Sequence, residues 1–532
     1  MAMNRREFLQ LGAAAALGGA QPRKPNFLVI LADDMGYSDA GCYGGEIETP
    51  NIDSLAARGL RFTQGYSTAR CGPSRSCLLT GYYAQQTAAD TMTPGNIPEW
   101  TRFLPHYLKP LGYRCYHSGK WHIRFRPVRG VGFDRSYALM DANRYFTPAN
   151  HMLDDQKLPQ PKESDGYYST IAIADYAIRW LQGHAKDNPQ NPFYLYLAFT
   201  SPHFPLQALK EDIEMYKDRF SEGWDTVRER RHARMRRMGL INCRLAALEP
   251  DVRPRWNTPD EELMAKIGPG EVTRAVPWST LTPEQKSLQR LKMAIHAAMI
   301  TRMDREIGRV MAQLKAMDAF RDTVIIFLSD NGASSEQIIR ADGHDPSAPP
   351  GSARTHLCLG PGWSSAANTP FRLHKSWVHE GGIASPLIVH WPNGLKAENQ
   401  LRHNPCHFVD VPVTLMDLAG RKPEPAGGPD APPLAGRSLV PAFAKDNSVR
   451  HEFIYFNHSN NRALRVDNWK IVAAGESGPW ELYDMSTDRA ESNNLASAQP
   501  DRVRRMAAVW RQWDEEYVRK RESSKPIPKD RM

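Results

Sequence analysis

The 532-residue sequence holds only seven cysteines, none of them in a C-x-x-C pair. They are too few and too scattered for a disulfide-dense scaffold, and the missing pair argues against a zinc ribbon or a thioredoxin-type site. Nowhere do apolar residues run for the roughly 18–20 positions that a bilayer span needs. That excludes an integral membrane protein, and no stable membrane insertion is expected. No segment repeats. The charge excess is small, 68 basic against 59 acidic residues for a formal +9, which gives no footing for a nucleic-acid partner. With 41% hydrophobic and 24% charged residues, the composition is that of a globular chain rather than a disordered or coiled-coil one. One basic cluster stands out, with arginines at 228, 230, 231, 234, 236 and 237. It lacks the interleaved aromatics of a nucleic-acid platform. It reads as the solvated face of a surface helix, or else as a lip that attracts an anionic polymer.

The chain opens on Asn4-Arg5-Arg6-Glu7-Phe8-Leu9, followed by a weakly apolar run of small residues that ends at Ala20. A basic stretch, a short apolar stretch and a small-residue end form an export signal. The paired arginines resemble the twin-arginine type. Residues 1–20 are therefore expected to engage the twin-arginine translocon and to be removed, placing the protein in the periplasm or otherwise outside the cytoplasm.

Beyond the leader, short apolar runs at Phe27–Ala32, Phe193–Phe199, Val324–Leu328 and Pro386–Trp391 read as strands buried on both faces. Amphipathic stretches such as Lys292–Met317 separate them. This alternation predicts an α/β domain with a mostly parallel sheet flanked by helices over residues 25–420. Three of the runs end in polar groups: Asp33-Asp34, Ser201-Pro202-His203 and Asp330-Asn331-Gly332. Ligands of open α/β sheets bind beyond the carboxyl ends of the strands, so these groups are expected to converge. A Pro/Gly-rich loop is expected over 421–440. After it, shorter strands at Glu452–Phe456, Arg462–Val466 and Trp469–Ala473 and a last helix near Pro500–Arg519 predict a smaller α+β subdomain, 441–532.

The segment Cys71-Gly72-Pro73-Ser74-Arg75-Ser76-Cys77-Leu78-Leu79-Thr80-Gly81 carries the most chemistry. Taken alone, Cys71 is open to three readings: a buried structural thiol, half of a disulfide, or a nucleophile activated by a nearby imidazole or helix N-terminus. The whole string C-x-P-S-R ahead of Leu-Thr-Gly resembles the signature of the type I sulfatases. The likeness continues through Leu31-Ala32-Asp33-Asp34-Met35-Gly36, Gly119-Lys120-Trp121-His122, Ser201-Pro202-His203-Phe204-Pro205 and Leu328-Ser329-Asp330-Asn331-Gly332. It extends to Asn368-Thr369-Pro370-Phe371-Arg372 with Lys375, to Glu380-Gly381-Gly382, and to Leu482-Tyr483-Asp484 and Asn494-Leu495. It covers residues 25 to 515 and is to bacterial arylsulfatases, on an alkaline-phosphatase-like fold.

The resemblance implies that a maturation enzyme converts Cys71 to formylglycine (3-oxoalanine), whose hydrate attacks the sulfur of a sulfate ester. It implies a metal site of Asp33, Asp34, Asp330 and Asn331 together with Cys71 in its modified form. Carboxylates and an amide oxygen without imidazole suit Ca²⁺, or less well Mg²⁺, and disfavour zinc. Lys120 and Lys375 would hold the sulfuryl oxygens, His203 with Lys375 would serve the leaving oxygen, and His122 would take a proton from residue 71. Arg75 would orient it. The substrate would be a sulfated small molecule or oligosaccharide. Two departures from the family pattern, Arg124 with Arg126 and Ala384, bear on substrate choice. A phosphodiesterase or phosphonate monoester hydrolase of the same superfamily is the rival enzyme. A sulfated-glycan-binding protein is the rival without catalysis, if Cys71 stays a thiol. Cys77, one turn on, is expected to pack rather than react.

Overall fold

The first apolar run folds as a strand, Asn26–Ala32, whose side chains alternate between two faces of a sheet. Leu28 and Ile30 enter the core on one side, and Phe27, Val29 and Leu31 that on the other. Burial of each such side chain is worth about 1.5–3 kcal/mol, which is why the strand is apolar throughout rather than alternating. A computed structural model describes residues 24–88, 96–141, 143–340 and 343–528. The expected export signal, 1–20, lies outside them. No helix among the described residues is long and apolar enough to cross a membrane.

Among the described residues the main sheet has 11 strands. Its centre runs Thr323–Ser329, Asn26–Ala32, Phe193–Ala198, Arg114–Lys120 and Arg135–Leu139, all parallel. Helices such as Ser169–Asp187 and Pro283–Ala316 flank it. The strand Ala384–His390 lies within this sheet but runs antiparallel to both neighbours, a direction that its apolar composition does not encode. The C-terminal region forms a separate antiparallel sheet of Ile454–His458, Asn461–Val466, Trp469–Ala473 and Glu481–Asp484. The helix Pro500–Glu522 packs against it.

A buried ionic network joins this second sheet to the main one. Lys470 Nζ lies 3.1 Å from Glu380 Oε1 and 2.8 Å from Glu491 Oε1, and Arg489 donates to Glu380 Oε2 at 3.0 Å. Arg465 donates to the Tyr66 hydroxyl at 2.6 Å. Such a network is costly to break at one member, because the partners stay buried and charged.

The arginine cluster corrects one expectation. It sits on the helix Gly223–Arg237, but only part of it faces solvent: Arg228 and Arg231 are buried. Arg231 is fully enclosed and donates to Asp39 at 2.7 Å and to Glu46 at 2.7 Å, while Arg228 donates to the carbonyl of Ala246. The solvated-face reading therefore fails at these two positions and is reduced to Arg230, Arg236 and Arg237. All seven cysteines are buried and none is paired with another.

His117 gives the fold a titratable weakness. It is buried among Trp121, Phe133 and Tyr196 and shares a 2.8 Å hydrogen bond with the Ser136 hydroxyl. Burial, and then the charge of Arg75, push its pKa down to about 3. Between that value and its ordinary one near 6.5 the unfolded chain binds the extra proton, so stability is complete above pH 6.5 and is lost as pH falls toward 3. We expect His117→Gln to flatten the pH 5–6.5 dependence of the unfolding free energy by about 1 kcal/mol per pH unit, since the unfolded imidazole is half protonated at the upper end of that range. Urea unfolding across that range measures it, and an unchanged slope would refute the assignment.

Candidate active site

The register of the central strands places the site. Ala32 pairs with Ser329, so Asp33 and Asp330 leave neighbouring parallel strands side by side. Leu31 pairs with Ala198, and Ala198 with Gly119, which brings His203 and Lys120 to the same edge. Close packing needs glycine here. A Cβ on Gly332 would lie 1.8 Å from the carbonyl of Gly381, and one on Gly119, at φ +126°, would lie 1.8 Å from the carbonyl of Ala198. Thus Asp-Asn-Gly and Glu-Gly-Gly interlock through backbone contact rather than side chains, and Gly-Lys packs in the same way on the strand that ends at Ala198.

Cys71 is the first residue of the helix Cys71–Thr80. Its motif is explained locally. Pro73 sits in the first turn, where no intrahelical N–H is needed. The Ser74 hydroxyl accepts from the Thr68 amide at 3.1 Å and ties the helix start to the segment that leads into it. Arg75, one turn on, donates to Asp330 Oδ2 from Nε at 3.1 Å and Nη2 at 2.8 Å, and to the Lys120 carbonyl at 3.2 Å. The Cys71 thiol lies 3.1 Å from His122 Nδ1. Cys77 is fully buried in the core.

Around this thiol the structure brings together every candidate residue of the sequence. Lys120 Nζ lies 2.5 Å from Asp33 Oδ2, and Lys375 Nζ lies 2.8 Å from Asp34 Oδ2. Asn331 Nδ2 donates to Asp34 Oδ1 at 2.6 Å, and His203 Nε2 lies 3.7 Å from Asp34 Oδ2. Asp34 has φ 62°, a left-handed conformation that Asp tolerates better than most residues. Among the described residues, Asp33 Oδ1 and Asn331 Oδ1 are buried without a hydrogen-bond partner. Orphaned oxygens of this kind, among carboxylates, suit a hard cation. Ligand atoms of Asp33, Cys71 and Asp330 lie within 4.8 Å of one another, as do those of Asp33, Asp34 and His203. The imidazole of His203 therefore stands beside the oxygen set, at the edge of the sheet where the strand-end groups are expected to converge, although the sequence reading counts no imidazole among the ligands.

The charges in this cluster act strongly on one another. Burial raises the carboxyl pKa of Asp33 and Asp34, against the pull of Lys120 on the first and Lys375 on the second. Burial acts on Asp330 too, but Arg75, Lys120 and Lys375 outweigh it and hold that carboxylate below its usual range. His122 is pushed down to about 3 by burial and by Lys120 and Arg75, and His203 falls well below its normal value through burial and Lys375. Both imidazoles are neutral at pH 7.

Sequence reasoning missed Glu336. It is buried, and its Oε2 lies 3.2 Å from Lys375 Nζ while Oε1 takes Arg70 at 3.0 Å. Burial would raise its pKa, but Lys375 and Arg70 drive it far below the carboxylate range. Its partners come from distant segments, so only its nearness to Asp330-Asn331-Gly332 hinted at it.

Residues 25–421 match the Sulfatase family, and residues 371–517 match the C-terminal family of N-sulphoglucosamine sulphohydrolase. The chain belongs to the sulfatase family. An uncharacterized sulfatase of Schizosaccharomyces pombe is 31% identical, over 92% of this chain and 93% of its own. An arylsulfatase of Klebsiella aerogenes is 30% identical, over 79% of this chain and 93% of its own. The crystal structure of Ps i-CgsB in complex with k-i-k-neocarrahexaose superposes with a TM-score of 0.66 at 23% identity, covering 94% of this chain and 95% of that one. That likeness shows a shared fold. This sulfatase is accordingly a hydrolase of sulfuric esters.

Proposed function

We propose that this sulfatase hydrolyses a sulfate ester of a carbohydrate or aryl alcohol, with formylglycine made from Cys71 as its nucleophile and Ca²⁺ as its resident ion. The observation that carries the reading is the position of Cys71 at a helix start, against His122 and among Lys120, Lys375 and two unpartnered oxygens. Asp33, Asp34, Asp330 and Asn331 would hold the ion, which when bound supplies Lewis-acid polarisation and charge stabilisation. Formylglycine supplies, as its hydrate, one hydroxyl to attack sulfur and a second through which sulfate is released.

The other steps belong to the chain. Lys120 and Lys375 bind the sulfuryl oxygens through Nζ, where charge builds up as the ester bond breaks. Arg75 keeps Asp330 ionised and aimed at residue 71, and Asp330 accepts the proton of the attacking hydroxyl. His203 shares a 2.5 Å hydrogen bond with the Phe204 carbonyl through Nδ1, so Nε2 is the atom left to face the site. The negative charge of a bound sulfuryl group raises its proton affinity, and Nε2 then donates to the leaving oxygen together with Lys375. Neutral His122 takes a proton at Nδ1 from residue 71 as sulfate departs.

An aryl substrate fits the arylsulfatase name of the Klebsiella relative, and a carbohydrate fits the oligosaccharide bound by Ps i-CgsB. The Arg5-Arg6 leader supports export by the twin-arginine translocon, with a formylglycine-generating enzyme acting beforehand. The deciding experiment is the mass of tryptic peptide 71–75 from protein co-expressed with such an enzyme. A loss corresponding to CH₂SH becoming CHO is expected. An alkylatable thiol in fully matured, active protein would overturn the nucleophile.

A further inference from the structure

Trp256 is the one aromatic among the large apolar side chains that stand exposed in the described residues, 44% accessible beside Met140 and Met215. It is not loosely placed. Its indole Nε1 donates to Glu336 Oε1 at 2.6 Å, and the Arg70 guanidinium lies over its ring, 5.4 Å from the centroid. The flanking backbone is stitched to the same segment: the Thr258 amide donates to the Gln337 carbonyl at 2.9 Å, and the Gln337 amide to Asn257 Oδ1 at 3.1 Å.

Glu336 joins this ring to the residues around Cys71. Its other oxygen holds Lys375 Nζ, and Arg70 immediately precedes Cys71 and also donates to the Ser376 hydroxyl at 2.8 Å. An exposed indole locked by a buried carboxylate, one residue pair away from a lysine that binds the sulfuryl group, is a costly surface to keep unless something covers it. A large apolar ring in water forfeits burial energy, and an aromatic plane offers its face to a flat partner.

We propose that Trp256 is the platform on which the sugar ring next to the scissile sulfate ester stacks, with Glu336 as the positioning residue that fixes this platform relative to Lys375. The ligand class is a sulfated pyranose, whose C–H face covers the indole while its sulfate reaches the lysines. The assignment rests on the sulfatase reading of the pocket and extends it to the alcohol side of the ester.

Binding measured without turnover tests it. In a Cys71→Ala background, calorimetry with N-acetylglucosamine 6-sulfate and galactose 4-sulfate is expected to show an affinity about tenfold weaker once Trp256→Ala is added, a 1.4 kcal/mol effect. Trp256→Phe, which keeps a stacking face but loses the bond by which Glu336 fixes it, is expected to bind the sugars with an affinity between those of the Trp256-containing protein and Trp256→Ala, and full retention would remove Glu336 from the positioning role. Inorganic sulfate, which has no ring, binds equally well to all of these proteins. Equal weakening for sulfate and for the sugars would make Trp256 merely structural and overturn the proposal. So would unchanged sugar affinity in Trp256→Ala, or no sugar binding by the Trp256-containing protein while inorganic sulfate still binds. Failure of the formylglycine reading shows separately, in the peptide mass.

Discussion

Cys71→Ala lowers kcat on an aryl sulfate by at least about 10⁴-fold, the scale on which enzymes lose a covalent nucleophile. The protein still folds. The thiol is small, its side chain contributes little apolar area, and the helix Cys71–Thr80 is held by Ser74 and Arg75 rather than by Cys71. Matched thermal unfolding of the two proteins checks this, and single-turnover assays check the chemistry. Retained turnover in Cys71→Ala would remove the nucleophile from residue 71, whatever its modification.

Asp330→Asn is expected to cost at least about 10³-fold in kcat/KM, and to do so in two separable ways. Arg75 directs both of its short side-chain bonds at Asp330 Oδ2, and its next carboxylate, Asp33, is 3.8 Å away. Removing the charge leaves a buried guanidinium short of a partner, a penalty of about 3–5 kcal/mol for a broken buried pair. The same carboxylate belongs to the proposed calcium set. If that set holds Ca²⁺, the added ion is expected to stabilise the wild-type protein, by about 2.7 kcal/mol at a hundred times its dissociation constant, and to stabilise Asp330→Asn far less. Thermal unfolding with EDTA and then with added Ca²⁺ or Mg²⁺ reads both effects without relying on activity. An equal calcium shift in the two proteins would remove Asp330 from the ion site.

These two variants target residues that stand in contiguous motifs, and that is why they are legible in a single sequence. Asp33 and Asp330 sit directly after apolar runs with a strong strand signature, and parallel strands deliver the residues at their carboxyl ends to one edge of the sheet. The C-x-P-S-R string carries its own helix start, with Pro73 and Ser74 each answering a local backbone need. The separate C-terminal sheet is visible for the same reason, since its strands Asn461–Val466 and Trp469–Ala473 succeed one another directly.

Elsewhere the reading fails where a charge is answered from far along the chain. Helical spacing on Gly223–Arg237 cannot distinguish Arg231, which meets Asp39 and Glu46, from Arg236, which meets solvent. The strand Ala384–His390 is recognisable as a strand, but its antiparallel direction between its two neighbours is not written in its own residues.

By itself, then, the sequence determined the sheet-forming runs, the nucleophile candidate and the oxygen donors, because short segments with strong local preferences carry them. Only the tertiary structure decided that Glu336 ties Lys375 to Arg70 and Trp256, that His203 faces Asp34, and that Glu380 is held by Lys470 and Arg489. Each of those is a pairing of charges across long stretches of chain. Burial makes such pairings strong, and no local pattern of residue types announces them.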